Sequence, residues 1–325
     1  MDDPNFRTEE EPVCVAWQRF VQAILGIAML IVTGFMLHFY APPATRDLEQ
    51  QVSQLSRQVD QLKQEQAMPA MVLNRYRNSI CYILGIYRVG RPGQKPAIRA
   101  RVSGTGFVVA DGLLATNRHV AEPWYRDSEA EALIKQGATP QLEKLIAFFP
   151  ALSTPVNITP VVFSAHGDLA VLEIEDAKTI HQLPPLPLAE SVPNPGELVA
   201  VIGYPMGVLG MVAKSPPAVY DRLALRNDDQ GAANELAALS LIRPSATYGH
   251  LGDVVGDKLI YDAPTAHGGS GGPVFNAHGQ VIAINEAYID GFSGGTLGIS
   301  VESLRPLIAA AQKPAARPAT NRSAN

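Results

Sequence analysis

The sequence predicts an all-β domain with helical insertions, preceded by one transmembrane helix and a short coiled-coil helix. Three observations predict it: an uncharged apolar stretch near the N-terminus, a heptad pattern after it, and a long series of short β-rich runs separated by Gly, Pro, Asn and Asp. The 325 residues include 27 Gly and 26 Pro. These are too few and too aperiodic for a collagen-like chain, and we expect the bulk to be globular.

The apolar stretch covers residues 20–40 and contains no Asp, Glu, Lys or Arg. As a helix it would extend roughly 31 Å, about the thickness of a hydrocarbon core. Trp17 and Tyr40 flank it as interfacial aromatic residues do. A cleaved signal peptide and a buried core helix are the alternatives, but the stretch is longer than a signal sequence needs, and the preceding arm, residues 1–19, is acidic. Arg residues on both sides leave the orientation undetermined by charge.

Residues 47–67 show apolar side chains alternately four and three positions apart: Leu48, Val52, Leu55, Val59 and Leu62. Val at position a and Leu at position d favour a parallel two-stranded coiled coil. We therefore expect a stalk through which the chain forms a homo-oligomer. A solitary amphipathic spacer helix is the alternative, because the pattern covers only about three heptads.

From residue 71 to about 312 the chain consists mainly of short strand-like runs, which favour a sandwich or a barrel. Two segments, residues 122–137 and 229–242, have helical composition and are interpreted as insertions between strands. A helix over residues 301–312 is expected to close this block. Residues 313–325 are rich in Pro and Ala, and we expect a disordered tail there.

Charge and cysteine content exclude several classes of protein. The net charge is −5 and there is no block of Lys or Arg, so we expect no nucleic-acid partner. Cys14 and Cys81 lie on opposite sides of the apolar stretch and cannot pair within one chain if it spans a membrane. No zinc-binding spacing is present, and we expect neither a metal nor another cofactor.

Three positions carry a pattern typical of nucleophilic catalysis. Ser270 lies within Gly268-Gly269-Ser270-Gly271-Gly272-Pro273, where glycines permit a tight turn and let the N–H groups of Gly268 and Ser270 converge on an oxyanion. His119 follows a strand-like run, and Asp168 begins another. Each of the last two is weak evidence alone, but the chain order His, Asp, Ser is that of one known triad arrangement.

Other residues leave narrower alternatives open. His166 and His267 lie close in sequence to Asp168 and Ser270, but neighbours this near rarely converge on one group. A metal hydrolase built from His166, Asp168 and His250 is a distant alternative without supporting ligand spacing.

Five segments, residues 103–120, 168–172, 201–207, 262–276 and 279–285, together resemble trypsin-like serine proteases of the HtrA type. The resemblance implies a chymotrypsin-like double β-barrel, with barrels at about 71–183 and 184–311 and the site in the cleft between them. It implies His119 as the base, Asp168 as its partner and Ser270 as the nucleophile. It also implies an extracytoplasmic protease domain, facing the periplasm of a bacterial inner membrane.

The sequence departs from the HtrA pattern in three places. Gly269 stands where the family usually carries Asn, which could loosen the oxyanion loop. We expect no PDZ domain, because too few residues follow Ser270. Residues 211–244 are longer and more helical than the corresponding loop, and form either a lid over the cleft or a passive surface insertion.

The function expected from these features is a membrane-anchored serine endopeptidase acting on proteins or peptides; a catalytically weak or inactive scaffold is the alternative. The specificity pocket is expected to be lined by Pro264, His267, Asn285 and Ala287. Trypsins carry an Asp where this chain has Pro264. We therefore expect cleavage after small or aliphatic residues and not after Lys or Arg.

Overall fold

The computed structural model describes residues 13–39, 43–176, 181–191, 193–288 and 295–313. Most of the expected N-terminal arm, Tyr40 and the expected disordered tail beyond residue 313 lie outside the described residues. The chain divides into two compact units, Met1–Lys63 and Gln64–Asn325.

The first unit contains helix α1 (Val13–Phe39) and the beginning of helix α2 (Pro43–Tyr76). Within the described part of the chain, Trp17–Phe39 is the one helical stretch long and apolar enough to cross a membrane, with a mean hydropathy of 2.3. The heptad residues lie on α2, and their apolar side chains are exposed in the single chain.

Helix α2 extends beyond the heptad segment, and its last turns belong to the second unit. Met68 and Val72 are buried there, each 1% exposed, and Tyr76 stacks on Phe275 with ring centroids 5.6 Å apart. These contacts keep the chain helical through Pro69, which lies inside the helix. The boundary expected at residue 71 thus falls inside a helix that already contributes Met68 to the core.

The first barrel is a closed sheet of six antiparallel strands in the order β1-β2-β3-β6-β5-β4. The strands are β1 (Ile80–Gly90), β2 (Ile98–Ala110), β3 (Leu113–Thr116), β4 (Thr139–Phe148), β5 (Val156–Phe163) and β6 (Ala170–Ile174). Side chains alternate between the two faces of a strand. On β1, Cys81 and Ile83 pack inside the barrel, whereas Tyr82 and Leu84 join a second core shared with the other barrel.

The second barrel repeats this closed antiparallel arrangement, in the order β10-β11-β12-β9-β8-β7. Its strands are β7 (Leu198–Gly203), β8 (Ser245–Val255), β9 (Lys258–Tyr261), β10 (Pro273–Phe275), β11 (Val281–Tyr288) and β12 (Thr296–Ser300). Val199 and Val201 face its interior, and Ala200 and Ile202 face the shared core. The shared core explains why β1 and β7 are apolar on both faces. The prediction of a double β-barrel is confirmed.

Six described helices connect or follow the strands. They are α3 (Arg118–Ala121), α4 (Ser128–Lys135), α5 (Gly207–Ala213), α6 (Pro217–Leu223), α7 (Asp229–Ala238) and α8 (Val301–Ala311). Asp127 is the N-cap of α4, and its carboxylate accepts the Ala130 N–H at 2.8 Å. The region expected to be a lid or a passive insertion is well packed, because Met211, Leu223 and Leu236 belong to the shared core.

Cys81 is a buried thiol on strand β1, and it donates to the carbonyl of Gly106 at 3.4 Å. Burial disfavours the thiolate and raises the pKa of Cys81 well above its ordinary value. The thiol is therefore an inert part of the first barrel's core.

Candidate active site

The structure brings His119 and Asp168 together at the edge of the first barrel. Asp168 lies two residues before β6 and is 3% exposed; its Oδ2 lies 2.6 Å from His119 Nδ1. Its other oxygen accepts the backbone N–H of His119 at 2.9 Å. An ionised Asp168 favours the tautomer with the proton on Nδ1, which leaves Nε2 free to accept a proton.

The pKa of Asp168 reflects two opposed effects. Burial, the largest single effect, raises it, but the hydrogen bonds and charge of His119, assisted by Arg126, outweigh burial. The net result is a pKa below the ordinary value for Asp. The carboxylate is therefore ionised at neutral pH and can orient the imidazole.

The position of His119 follows from a short turn after β3. The strand ends at Thr116, Asn117 is buried, and α3 begins at Arg118. The side-chain amide of Asn117 donates to the backbone carbonyl of Asp168 at 2.8 Å. This bond ties the turn that carries His119 to the segment that carries Asp168.

Ser270 lies on the turn that precedes β10, and its side chain is half-buried. Its hydroxyl donates to the backbone carbonyl of Glu286 at 3.1 Å. Among the described residues, no hydrogen bond joins this hydroxyl to His119. The side chains of His119 and Asp168 are thus already engaged with each other, whereas the Ser270 hydroxyl has a backbone partner.

Thr105, a fully buried residue on β2, links the two halves of the site. Its N–H donates to the carbonyl of Ser270 at 2.8 Å, and its carbonyl accepts the hydroxyl of Thr116 at 2.7 Å. Its own hydroxyl donates to the Gly268 carbonyl at 2.7 Å and accepts the Tyr204 N–H at 3.0 Å. One residue therefore connects the Ser270 turn with the strand that leads to His119.

The N–H groups of Gly268 and Ser270 donate to no acceptor within the described part of the chain. In each case the carbonyl of the same peptide group accepts a hydrogen bond. The His267 carbonyl accepts the Met206 N–H at 2.6 Å, and the Gly269 carbonyl accepts the Asn285 amide at 2.9 Å. Because a trans peptide is planar, fixing the carbonyl turns its N–H the other way. Both N–H groups are thereby available to an oxygen anion.

Gly268 requires glycine for two reasons. Its φ of 90° lies in the left-handed region, and a Cβ atom would lie 2.5 Å from the Tyr204 carbonyl oxygen. Any other residue would strain this turn and displace its neighbours.

Arg126, Lys258 and Glu286 form a charged cluster between the insertion at residues 122–137 and strand β11. Arg126, which has a φ of 60°, forms an ion pair of 3.2 Å with Glu286, and Lys258 contacts the same carboxylate. Glu286 is buried, and a buried carboxylate without a partner would be costly. Arg126 and Lys258 place two positive charges beside it. A cavity of about 380 Å³ adjoins this cluster and is lined by His119, Tyr125, Arg126 and Asp168, among others.

The remaining predicted residues take different positions. Pro264 and His267 are exposed on the turn before Ser270, whereas Asn285 is buried on β11. Ala287 is also on β11, paired with Leu297, and its side chain lies outside the described residues.

The histidines of the alternative metal site are exposed and lie on different barrels. His166 precedes β6 and His250 is on β8. Among the described residues, no group of three or more His, Cys, Asp and Glu side chains is placed to hold a metal.

Sequence reasoning did not single out Thr105, Arg126 or Glu286. Only Thr105 could have been noticed from local sequence, because it is a polar residue between two glycines at the start of an apolar run. The charged pair joins residues 160 positions apart, and no local pattern reports such a contact.

Comparison with known proteins supports the interpretation of the motifs. The profile of the trypsin-like peptidase domain matches residues 104–284, more than half of the chain. A probable periplasmic serine endoprotease DegP-like from Chlamydia pneumoniae is 30% identical over 214 residues, covering 65% of this chain and 34% of that protein. The protein of the same description from Rhizobium meliloti is 29% identical over 210 residues, covering 64% and 32% respectively. The chain thus spans about a third of the length of these relatives.

Among solved structures, the serine endoprotease from Yersinia pestis matches with 19% identity and a TM-score of 0.48, covering 75% of this chain and 66% of that one. The DegP-like relatives confirm the resemblance to HtrA-type proteases. The matched profile spans both barrels, from Gly104 on β2 to Ile284 on β11, and includes His119, Asp168 and Ser270. The chain belongs to the trypsin-like peptidase family.

Proposed function

We propose that the protein is a serine endopeptidase that hydrolyses peptide bonds of protein substrates through an acyl-enzyme. The observation that carries this proposal is the hydrogen-bonded pair of His119 and Asp168 in a fold where the Ser270 turn leaves two N–H groups without acceptors. An imidazole oriented by a carboxylate and a preformed anion site are the two arrangements that acyl transfer requires.

In the proposed reaction the Ser270 hydroxyl turns from the Glu286 carbonyl towards His119 Nε2. The imidazole accepts the proton as Ser270 Oγ attacks the scissile carbonyl, and Asp168 stabilises the resulting cation. The N–H groups of Gly268 and Ser270 bind the oxyanion. His119 then donates the proton to the leaving amine, and a water molecule repeats the sequence to release the acyl group.

Labelling by a fluorophosphonate probe tests the nucleophile. The full chain in detergent micelles should react at Ser270, and Ser270→Ala should not react. Cleavage of casein should disappear in the same variant. A folded wild-type protein that neither reacts with the probe nor cleaves casein would contradict the proposal.

The bond from the Ser270 hydroxyl to the Glu286 carbonyl favours a second candidate, a protease-fold scaffold that binds peptides without cleaving them. In that case wild type and Ser270→Ala would bind a casein-derived peptide equally well, and neither would cleave it. Acyl-enzyme formation by the wild type alone would exclude the scaffold.

For the cleavage preference we propose small or aliphatic residues before the scissile bond. Pro264 supplies no charge to the expected pocket wall, where an acidic residue would attract Lys or Arg. A peptide-library cleavage profile tests this, and a profile dominated by Lys and Arg would contradict it.

We propose further that α1 anchors the protein in a membrane and that both barrels face the periplasm. Its apolar length and the periplasmic description of the DegP-like relatives support this topology. Leu225, the most exposed large apolar residue of the insertion at 95%, offers a site for a reporter. In a Cys14→Ser background, Leu225→Cys should react with a membrane-impermeant maleimide in spheroplasts. Labelling only after lysis would place the barrels in the cytoplasm.

The exposed heptad face supports a homo-oligomer formed through residues 47–67. Leu55→Asp would place a charge in the seam and should convert the detergent-solubilised oligomer to monomer in analytical ultracentrifugation. Gln54→Asp, on the neighbouring helix position, is the matched control. A wild-type protein that sediments as a monomer would refute the stalk.

A further inference from the structure

The residue before the nucleophile, Gly269, has no side chain with which to brace the turn. The space that such a side chain would need is already occupied. A Cβ atom at Gly269 would lie 2.4 Å from the Thr265 hydroxyl and 3.0 Å from the Ala266 carbonyl oxygen. Within the turn, the Gly269 carbonyl accepts the Gly272 N–H at 3.1 Å, and any further support must come from another part of the chain.

Asn285 on β11 makes the required contacts. Its amide nitrogen donates to the Gly269 carbonyl at 2.9 Å and to the Thr265 hydroxyl at 3.1 Å. Its backbone carbonyl accepts the Gly271 N–H at 2.8 Å. Asn285 thus holds the turn on both sides of Ser270.

Tyr261 on β9 sets the orientation of this amide. Its hydroxyl donates to Asn285 Oδ1 at 2.8 Å, so the oxygen and the nitrogen of the amide cannot exchange places without losing bonds. Burial, with a further contribution from Glu286, raises the pKa of Tyr261, which keeps the phenol protonated and able to donate. Both side chains are almost completely buried, and each described polar atom of the Asn285 amide has a partner.

The bond to the Gly269 carbonyl has a direct chemical consequence. That carbonyl and the Ser270 N–H belong to the same planar peptide, so holding the oxygen directs the N–H to the opposite side. The Ser270 N–H is one of the two proposed oxyanion donors. We infer that Asn285, oriented by Tyr261, is the positioning residue that presets the Ser270 half of the oxyanion hole. The inference rests on the proposed function, since it concerns the same site.

Substitution of Asn285 tests this in the full chain. Loss of an oxyanion donor typically lowers kcat by about 10²–10³-fold. A donor that is still present but poorly oriented should cost less, so we expect Asn285→Ala to lower kcat by about 10-fold to 10²-fold, with KM within about threefold of wild type. Tyr261→Phe, which removes only the hydroxyl, should lower kcat about threefold to tenfold.

Asn276→Ala is the matched control. Asn276 lies in the turn after β10, where its side chain accepts the N–H groups of His278 and Gln280, each at 3.0 Å. Its loss should affect stability but leave kcat within about threefold of wild type. Equal losses of kcat in Asn285→Ala and Asn276→Ala would overturn the positioning role.

Hydrogen–deuterium exchange, measured in a Ser270→Ala background, separates this inference from the proposed function. The Gly271 N–H donates to the Asn285 carbonyl, and the Gly269 N–H to the Ala266 carbonyl at 2.9 Å. Faster exchange in the peptide that contains these amides is expected for Asn285→Ala and Tyr261→Phe and not for Asn276→Ala. Unchanged exchange would overturn the inference even if the enzyme is active. Faster exchange in these variants, combined with no probe labelling of the folded wild-type protein that retains Ser270, would support positioning and refute the peptidase.

Discussion

Replacing Thr105 with Val should damage both the stability and the reactivity of the protein, although the two side chains have nearly the same shape. The Thr105 hydroxyl donates to the Gly268 carbonyl and accepts the Tyr204 N–H. Both partners lie on the second barrel's side of the site and are buried. Val cannot replace either hydrogen bond, and water has no access to do so.

The size of the effect follows from the two groups left without partners. A buried donor or acceptor that loses its partner costs about 1–3 kcal/mol. Two such groups predict a loss of about 2–6 kcal/mol in the free energy of unfolding, a large fraction of the about 5–15 kcal/mol typical of a folded domain. Thr105→Ser keeps the hydroxyl and removes one methyl group, which should cost only about 1 kcal/mol.

Urea unfolding of the full chain in detergent micelles can measure the difference. The chain has two Trp residues. In a Trp17→Phe background, Trp124, which packs against Tyr87 beside the first barrel, is the fluorescent reporter. The reasoning fails if Thr105→Val unfolds within 1 kcal/mol of wild type, or if Thr105→Ser loses as much as Thr105→Val, because packing and not hydrogen bonding would then dominate.

Asp168→Asn should lower kcat about 10⁴-fold at neutral pH because an amide favours the wrong tautomer of His119, and peptide hydrolysis retaining a tenth of wild-type kcat would contradict this. Since the folded-state pKa of Asp168 is lowered, the stability that its ionised form contributes is complete above about pH 4 and is lost as pH falls through the folded pKa. The stability difference between wild type and Asp168→Asn, measured in urea, should therefore narrow from pH 5 towards pH 2, and a constant difference would argue against this linkage. Met68→Ala should cost about 2–5 kcal/mol by urea unfolding, whereas Met71→Ala, at an exposed position of the same helix, should cost almost nothing; equal effects would show that α2 is not held by Met68. Arg126→Ala should cost about 1 kcal/mol, because Arg126 is half-exposed and Lys258 still neutralises Glu286, and a loss above 3 kcal/mol would show that Arg126 is the dominant partner.

Several strands can be predicted because their buried positions are occupied by runs of apolar residues. Strands β1 and β7 are apolar on both faces, since one face lines a barrel and the other packs in the shared core. Strand β8 is harder to recognise from sequence. It is mostly exposed and contains Gly249 and Gly252, so it lacks both the alternation and the composition that indicate a strand. Its place in the barrel depends on pairing with β7 and β9, which no local pattern reveals.

The C-terminal part of α2 was missed for a different reason. The heptad pattern ends at Leu62, and Met68 and Val72 follow with a different phase because they contact a barrel and not another helix. Pro69 would ordinarily disfavour a helix interior. Burial of Met68 and Val72, and the stacking of Tyr76 on Phe275, stabilise a helix that propensity alone would have interrupted.

The turn around Ser270, which carries the proposed oxyanion donors, could not be judged from its local sequence. A glycine before the nucleophile suggested a loosened turn, because the expected side chain is absent. Rigidity of a turn depends, however, on whether its carbonyl groups are held. Here Thr105 holds the Gly268 carbonyl from a distant strand, and the Gly269 carbonyl accepts both the local Gly272 N–H and the distant Asn285 amide. The Thr265 hydroxyl occupies the volume that a side chain at Gly269 would require, so the glycine and the distant asparagine form one arrangement. Restoring a side chain at residue 269 alone would therefore disturb the turn that it was expected to brace.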